Sequence, residues 1–137
     1  AGKGEALQAA TADLPDYHVV DYVDGMDRAY AAADLLVARS GAATVAETTV
    51  AGVPAVYVPL PIGNGEQRLN ASGSLEAGAS QVVDNAAFTE ATVTEVVLPL
   101  LADPAALSRM SRAAANLAYP TDAAARMAEI TVSALRG

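Results

Sequence analysis

Short apolar runs separated by helical patterns organise the middle of the chain. Residues 35–38 and 55–59 each have the length and apolar composition of a buried strand. Between these runs, Val45, Thr48 and Gly52 lie at helical spacing, and glycine is a residue that commonly ends a helix. The pattern therefore predicts two parallel strands joined by a helix.

A third strand is predicted further along the chain. Residues 59–65 contain two Pro and two Gly, so they continue neither a strand nor a helix. A helix is expected over residues 66–77, before Gly78, and a strand over residues 80–83. We therefore expect an α/β fold, in which helices flank a Rossmann-like parallel sheet.

The N-terminal part contains a further strand pattern. Residues 17–23 alternate and are rich in β-branched and aromatic side chains, which predicts a strand. A turn is expected at residues 2–4 and a short helix at residues 5–10. A second short helix is expected over residues 27–33. Met26, Ala29 and Tyr30 are expected to pack inward from it.

The C-terminal part is predicted to be helical, with a tail over residues 103–137. Thr89 or Thr92 begins a helix, and residues 92–95 have capping-box spacing. Asp103 followed by Pro104 predicts a second helix start, and Asp122 can cap a last helix through Ala134. The apolar stripes are Val93, Val96, Val97, Leu100 and Leu101, then Leu107, Met110 and Ala114, then Ala125, Met127, Ile130, Ala134 and Leu135.

Composition limits the classes of function. With 137 residues, 53% of them hydrophobic and 18% charged, the chain fits one folded domain. The net charge of −8 argues against a nucleic-acid partner, which requires clustered cations. The absence of Cys and the single His18 exclude thiolate and histidine-cluster metal sites. No metal or cofactor is expected in this chain. Without a membrane span or a signal peptide, the expected location is cytoplasmic, and the start without Met resembles the inside of a longer protein.

Residues 39–47 carry the candidate chemistry. Ser40 and Gly41 form a turn between a strand and a helix, and the first amides of a helix attract phosphate. The amides at Ala43 and Thr44 and the Thr44 hydroxyl could hold phosphate, while Glu47, one turn later, could accept hydrogen bonds from sugar hydroxyls. The alternative is a plain turn followed by a solvated glutamate.

The loop at residues 59–65 is expected at the same edge of the sheet as this turn. Loops that follow the carboxyl ends of parallel strands face one crevice, where ligands bind. Glu66 and Gln67, at the start of the following helix, could therefore reach sugar hydroxyls. The alternative is that both are ordinary polar residues of a helix's first turn.

With these motifs the chain resembles the C-terminal, donor-binding domain of GT-B glycosyltransferases, and more narrowly the MurG type. That type transfers N-acetylglucosamine from UDP-N-acetylglucosamine to undecaprenyl-pyrophosphoryl-N-acetylmuramyl-pentapeptide, which makes lipid II for peptidoglycan. The sequence of residues 63–70 resembles that of the actinobacterial branch. The segments that carry the resemblance are residues 2–4, 23–26, 29–34, 39–47, 52–55, 58–61, 67, 70–71 and 76–79.

The resemblance implies a role for each matching residue. The backbone at Val23 would pair with the uracil edge, and Met26 would line the base. The turn with Ser40, Gly41, Ala43 and Thr44 would hold phosphate, and Glu47 would accept both ribose hydroxyls. Glu66 and Gln67 would hold hydroxyls of the transferred sugar, although many relatives carry Gln or His at the first position, and Asn70 would support the loop.

The resemblance also implies that much of the enzyme lies outside this chain. The lipid-linked acceptor, the catalytic base and contact with the cytoplasmic face of the plasma membrane belong to an N-terminal domain, and the first strands of the donor domain are missing too. We therefore expect an inactive fragment, residues 1–137 of one partial domain. Its uncovered apolar surface and sheet edge should lead either to self-association or to a rearrangement of the remaining elements. The alternatives are the donor domain of another UDP-sugar GT-B enzyme and a non-catalytic α/β module that binds a nucleotide or a partner protein.

Overall fold

A three-stranded parallel sheet forms the centre of the fold in the computed structural model, which describes residues 3–136. Its strands are β1 (Leu36–Ala38), β2 (Ala55–Tyr57) and β3 (Ser80–Val82), in that spatial order. The register sets Val37 opposite Val56, and Val56 opposite Gln81. The three strands predicted for this part of the chain are confirmed, each one or two residues shorter than expected.

The helices that join the strands cover one face of the sheet. Helix α3 (Ala42–Ala51) joins β1 to β2, and helix α4 (Glu66–Glu76) joins β2 to β3. Helix α3 ends as predicted, because Gly52 adopts the left-handed conformation with φ of 71°. The core on this face consists of Val45, Ala55, Tyr57 and Ala71, with Leu36 and Val82 packed against it.

The chain after β3 covers the opposite face. A 3-10 turn at Asn85–Ala87 leads to a helical segment made of α5 (Glu90–Thr92), a π-helical stretch (Val93–Val97) and α6 (Leu98–Leu101), and then to α7 (Pro104–Asn116). The core here is Val56, Leu100 and Met110, with other apolar side chains around it. The expected parallel sheet flanked by helices is therefore confirmed.

The caps of these helices follow the sequence in part. Asp103 caps α7 as predicted, accepting a hydrogen bond of 2.9 Å from the amide of Ala106. The capping box lies at Thr89 and Thr92, so its prediction at residues 92–95 is wrong. Thr92 cannot be the cap because it already has helical backbone angles. Leu101 also departs from its predicted stripe, since it lies on the exposed side of α6.

The last helix, α8 (Ala123–Arg136), has the predicted apolar stripe but buries none of its residues. Leu135, for example, is 83% exposed.

Within residues 3–136, no single helix is long and apolar enough to cross a membrane. The pair Glu90–Leu101 and Pro104–Asn116, bent by 84°, together has such a length and composition.

Contacts divide the chain into two units, one up to Ala32 and the other from Ala33. The first contains α1 (Lys3–Ala10) and α2 (Met26–Ala32). Lys3 and Gly4 belong to α1 rather than to the predicted turn, and Gly2 lies outside the described residues. In α2, Tyr30 is buried as expected, whereas Met26 is 40% exposed because it begins the helix. Whether residues 1–137 behave as one domain stays a prediction.

The strand predicted over residues 17–23 is wrong. This segment has no strand or helix in the structure, and Tyr17, Val20 and Tyr22 are all exposed. A strand requires a neighbour that pairs with its amides and carbonyls. The Val19 carbonyl accepts a hydrogen bond of 3.3 Å from the Gln8 side chain instead. The alternating pattern is present, but within the described residues no strand pairs with it.

Candidate functional site

The turn between β1 and α3 presents the first amides of a helix. Gly41 occupies the N-cap position with φ of −61° and ψ of 149°, and no side chain caps the helix. The first amides of α3 have no acceptor within the helix itself. Together with the helix dipole, they favour an anion at this end. The backbone at Ala43 and Thr44 therefore has the arrangement expected of a phosphate site.

Ser40 holds this turn inside the protein. The residue is fully buried, and its Oγ atom has no hydrogen-bond partner within residues 3–136. Its carbonyl oxygen accepts a hydrogen bond of 3.1 Å from Nδ2 of Asn70 in α4. Asn70 therefore bonds to the turn before α3. Its implied role in supporting the loop at residues 59–65 stays a prediction.

Helix α3 is fixed to the central strand by a buried pair of hydroxyl groups. Thr48 Oγ1 lies 2.5 Å from the Tyr57 hydroxyl and donates to the Thr44 carbonyl at 2.8 Å. Burial raises the pKa of the Tyr57 phenol above its ordinary value of 10.0, and the hydrogen bond with Thr48 partly offsets this effect. The contact anchors the turn of α3 that carries Thr44 and Glu47.

The loop after β2 brings a second polar pair to the same edge of the sheet. Gly63 and Gly65 both adopt left-handed backbone conformations, with φ of 71° and 77°. The Oε1 atom of Gln67 accepts a hydrogen bond of 3.0 Å from the Leu60 amide. Gln67 thus orders the loop with its oxygen, which leaves its amide nitrogen as the group suited to a sugar hydroxyl. Glu66, in the first turn of α4, is exposed.

Arg39 is a central residue of this edge that the sequence analysis gave no role. Its Nη1 donates to the Val58 carbonyl at 2.9 Å and to Oδ1 of Asn85 at 2.7 Å. It thereby links the ends of all three strands beside a depression of about 460 Å³. A cation directly after an apolar strand was the visible signal, but its partner Asn85 is 46 residues away.

Eight of the ten predicted site residues lie on the loops and helices that follow β1 and β2. Asn70 and Ser40 are in contact, and Gln67 is bonded to the loop before α4. Val23 and Met26 lie in the unit that ends at Ala32, and both are partly exposed. Ligand binding by all ten residues, and the direction in which the Glu47 carboxylate points, stay predictions.

Comparison with known proteins identifies the family. Residues 2–127 match the family model described as the glycosyltransferase family 28 C-terminal domain. The chain belongs to this family. It is 51% identical over 130 residues, 95% of this chain, to a relative from Mycolicibacterium smegmatis. That relative is named UDP-N-acetylglucosamine--N-acetylmuramyl-(pentapeptide) pyrophosphoryl-undecaprenol N-acetylglucosamine transferase. The match confirms the resemblance to the MurG type and its actinobacterial branch.

Solved structures agree with this family 28 assignment. The crystal structure of MurG from Acinetobacter baumannii matches 94% of the chain with a TM-score of 0.82 and 32% identity. The glycotransferase of kitacinnamycin matches 82% of the chain with a TM-score of 0.58 and 25% identity. The chain spans 34% of the length of the Mycolicibacterium relative and 38% of the Acinetobacter chain. It therefore corresponds to about a third of the length of these relatives.

Proposed function

We propose that this chain is the donor-binding part of a MurG-type transferase. The donor is UDP-N-acetylglucosamine, and the acceptor is undecaprenyl-pyrophosphoryl-N-acetylmuramyl-pentapeptide. The observation that carries the proposal is the linkage of two loops at one edge of the sheet. Asn70 of α4 bonds to the Ser40 carbonyl in the turn that opens α3. One rigid edge thus joins a phosphate-type helix terminus to a helix that begins with two polar side chains.

The first turn of α3 would take the diphosphate. Backbone amides bind phosphate without lysine or arginine, which is consistent with a chain of net charge −8. The Thr44 hydroxyl, at the same helix end, adds a side-chain donor. Because these groups are fixed before the reaction, they also stabilise the charge that grows on UDP as the sugar departs.

Three polar side chains would contact the sugars on either side of the diphosphate. An ionised Glu47 only accepts hydrogen bonds, so it can take both ribose hydroxyls. The amide nitrogen of Gln67 would donate to a hydroxyl of N-acetylglucosamine, since its oxygen is held by Leu60. Glu66 would accept from a neighbouring hydroxyl. Val23 and Met26 would contact the uracil.

Transfer would occur by direct displacement at the anomeric carbon with inversion. A base outside this chain removes the proton of the acceptor hydroxyl, the new glycosidic bond forms, and the bond to UDP breaks. The described residues bind and orient the donor and contribute no base in this scheme. The isolated chain is therefore inactive.

The intact transferase would act at the cytoplasmic face of the plasma membrane, where its acceptor is anchored by the lipid. Acceptor and membrane contacts would come from the part of the enzyme outside this chain. In isolation the chain exposes the apolar side chains of α8, including Met127 and Leu135. Such a surface favours self-association, which sedimentation at increasing protein concentration would detect.

The test uses a full-length transferase that carries this chain as its C-terminal part, called the test transferase below. Calorimetric titration should show binding of UDP and UDP-N-acetylglucosamine, and radiolabelled donor should label the lipid-linked acceptor. UDP-glucose and UDP-galactose serve as matched competitors. A test transferase that binds no UDP would rule out the proposal.

A second candidate is a transferase of another UDP-sugar acting on a natural product. The structural similarity to the kitacinnamycin glycotransferase favours it. The same competition separates the two candidates, because this alternative requires another nucleotide sugar to displace UDP-N-acetylglucosamine efficiently. Transfer to a soluble natural product instead of the lipid-linked acceptor would support the alternative.

A further inference from the structure

Two successive residues after β3, Asp84 and Asn85, contact both loops of the candidate site. Asn85 accepts a hydrogen bond of 2.7 Å from Arg39, the residue before the turn that opens α3. Asp84 forms an ion pair with Arg68 in the first turn of α4. The segment after β3, which carries no predicted ligand, thus contacts the residue before the turn that opens α3 and the first turn of α4.

The Asp84 carboxylate is directed away from its usual local partner. Asp84 is the N-cap residue of the 3-10 turn Asn85–Ala87, a position where aspartate normally accepts from the following amides. Its side chain makes no capping hydrogen bond there. It reaches across to Arg68, which directly follows Gln67. The position of the 3-10 turn is therefore tied to the first turn of α4.

Asn85 completes a set of acceptors around Arg39. The same nitrogen of Arg39 also bonds to the carbonyls of Val58 and Pro59, at 2.9 Å and 3.4 Å. Asn85 is the side chain among these three acceptors, so its substitution removes one of the bonds that hold the guanidinium group in place. The backbone of Arg39 continues directly into Ser40 and Gly41. The orientation of Arg39 therefore influences the turn that opens α3, where the diphosphate would bind.

We propose that Asp84 and Asn85 are positioning residues for the donor. Asn85 would hold the diphosphate turn through Arg39, and Asp84 would hold the sugar-facing turn of α4 through Arg68. The inference rests on the proposed function. It assigns the two residues separable effects, because UDP contains the diphosphate but lacks the transferred N-acetylglucosamine.

The two residues should therefore differ in which ligand they affect. Replacing Asn85 by Ala should raise the Kd of UDP and of UDP-N-acetylglucosamine alike, by about fivefold to tenfold, because a charge-assisted hydrogen bond is lost. Replacing Asp84 by Ala should raise the Kd of UDP-N-acetylglucosamine by about twofold to fivefold, as expected for an exposed ion pair. The Kd of UDP should stay unchanged in that variant.

The experiment measures both Kd values by calorimetry in the test transferase and five variants. Asn85→Ala and Asp84→Ala are compared with Asn116→Ala and Glu95→Ala, which remove an exposed amide and an exposed carboxylate elsewhere in the same unit. A fifth variant exchanges the charges, Asp84→Arg with Arg68→Asp, and should restore the wild-type Kd of UDP-N-acetylglucosamine. Thermal melting checks that every variant is folded.

The outcomes separate this inference from the function on which it rests. If the wild type binds the donor and the Kd values of Asn85→Ala and Asp84→Ala equal those of their controls, the positioning role is overturned and the proposed function stands. An equal rise in the Kd of UDP and of UDP-N-acetylglucosamine in Asp84→Ala would overturn the division of roles. If the wild type bound neither ligand, both the proposed function and this inference would fail.

Discussion

Residues 33–136 form a parallel sheet with β2 as its central strand, whereas residues 3–32 form two helices with irregular chain between them. In the larger unit, Val56 of β2 is fully buried between two layers of helices. In the smaller unit, Tyr22 is 81% exposed although it belongs to an equally strand-like pattern. The two units thus contain similar strand patterns with opposite outcomes.

The difference shows what a strand pattern needs in order to form a strand. β1, β2 and β3 follow one another in space, and each helical connection brings the next strand alongside the last. Residues 17–23 have no strand partner among the described residues. The residues predicted to contact the donor are divided in the same way: those predicted for the diphosphate, ribose and transferred sugar belong to the larger unit, and those predicted for the uracil belong to the smaller unit.

The largest effect is expected at Glu47, in the larger unit. Glu47→Ala in the test transferase should lower the affinity for UDP-N-acetylglucosamine by about 10–100-fold, because it removes a charged acceptor for two ribose hydroxyls. Calorimetry measures the change, with Glu95→Ala as the control carboxylate. Donor binding equal to the wild type would remove Glu47 from the site.

A pair of glycine substitutions tests whether the two units unfold separately. Gly52 has φ of 71° and an added Cβ would find only ordinary contact with Ser111, so Gly52→Ala should cost about 1–2 kcal/mol of unfolding free energy through backbone strain. Gly25 has φ of 78°, and an added Cβ would lie 2.8 Å from Arg28. Gly25→Ala should leave the main urea transition unchanged.

Circular dichroism during urea unfolding of the 137-residue chain measures both variants. An equal shift of the transition midpoint by Gly25→Ala would mean that the units unfold together. The contrast between them would then be one of local structure and not of stability.

The Tyr57 phenol gives the larger unit a pH dependence. Burial raises its pKa above 10.0, so the folded state holds the phenolic proton more tightly than the unfolded state does. This contribution to stability is complete below pH 10 and is lost as the pH rises through the folded-state pKa. Tyr57→Phe should cost about 1 kcal/mol at neutral pH, because the bond to Thr48 is lost.

Urea unfolding measured from pH 7 upward tests this sign. We expect the wild type to lose unfolding free energy above pH 10 faster than Tyr57→Phe does. Parallel curves for the two proteins would show that the Tyr57 proton is not held by folding.

The smallest effect is expected in the smaller unit. Met26→Ala in the test transferase should raise the Kd of UDP by about twofold to fivefold, since part of an apolar contact with the base is removed. Met127→Ala, which shortens an exposed methionine of α8, is the matched control. Calorimetry with UDP compares the two variants. Equal Kd values for both would show that Met26 does not contact the base.

Local signals predicted most of the larger unit. The apolar runs located β1, β2 and β3, Gly52 ended α3, and Asp103 started α7. Each of these features depends on residues within a few positions of one another. The strand predicted over residues 17–23 failed because strand formation depends on a distant partner. The stripe of α8 was visible too, but a stripe does not say what covers it.

The candidate site divides along the same line. The turn before α3 and the polar start of α4 could be located from short motifs. The bond between Arg39 and Asn85 and the ion pair between Arg68 and Asp84 could not. Their partners are separated by 46 and 16 residues, and only the packing of parallel strands brings them together.

Nuclear magnetic resonance with UDP tests the central claim most directly, because it reports on each amide. In the test transferase, labelled with ¹⁵N at alanine and threonine, UDP should shift the amides of Ala43 and Thr44 most strongly, in a saturable way. Alanines of α8 such as Ala128 should not move. Saturable binding of UDP that left Ala43 and Thr44 unchanged would contradict the claim that the first turn of α3 holds the diphosphate.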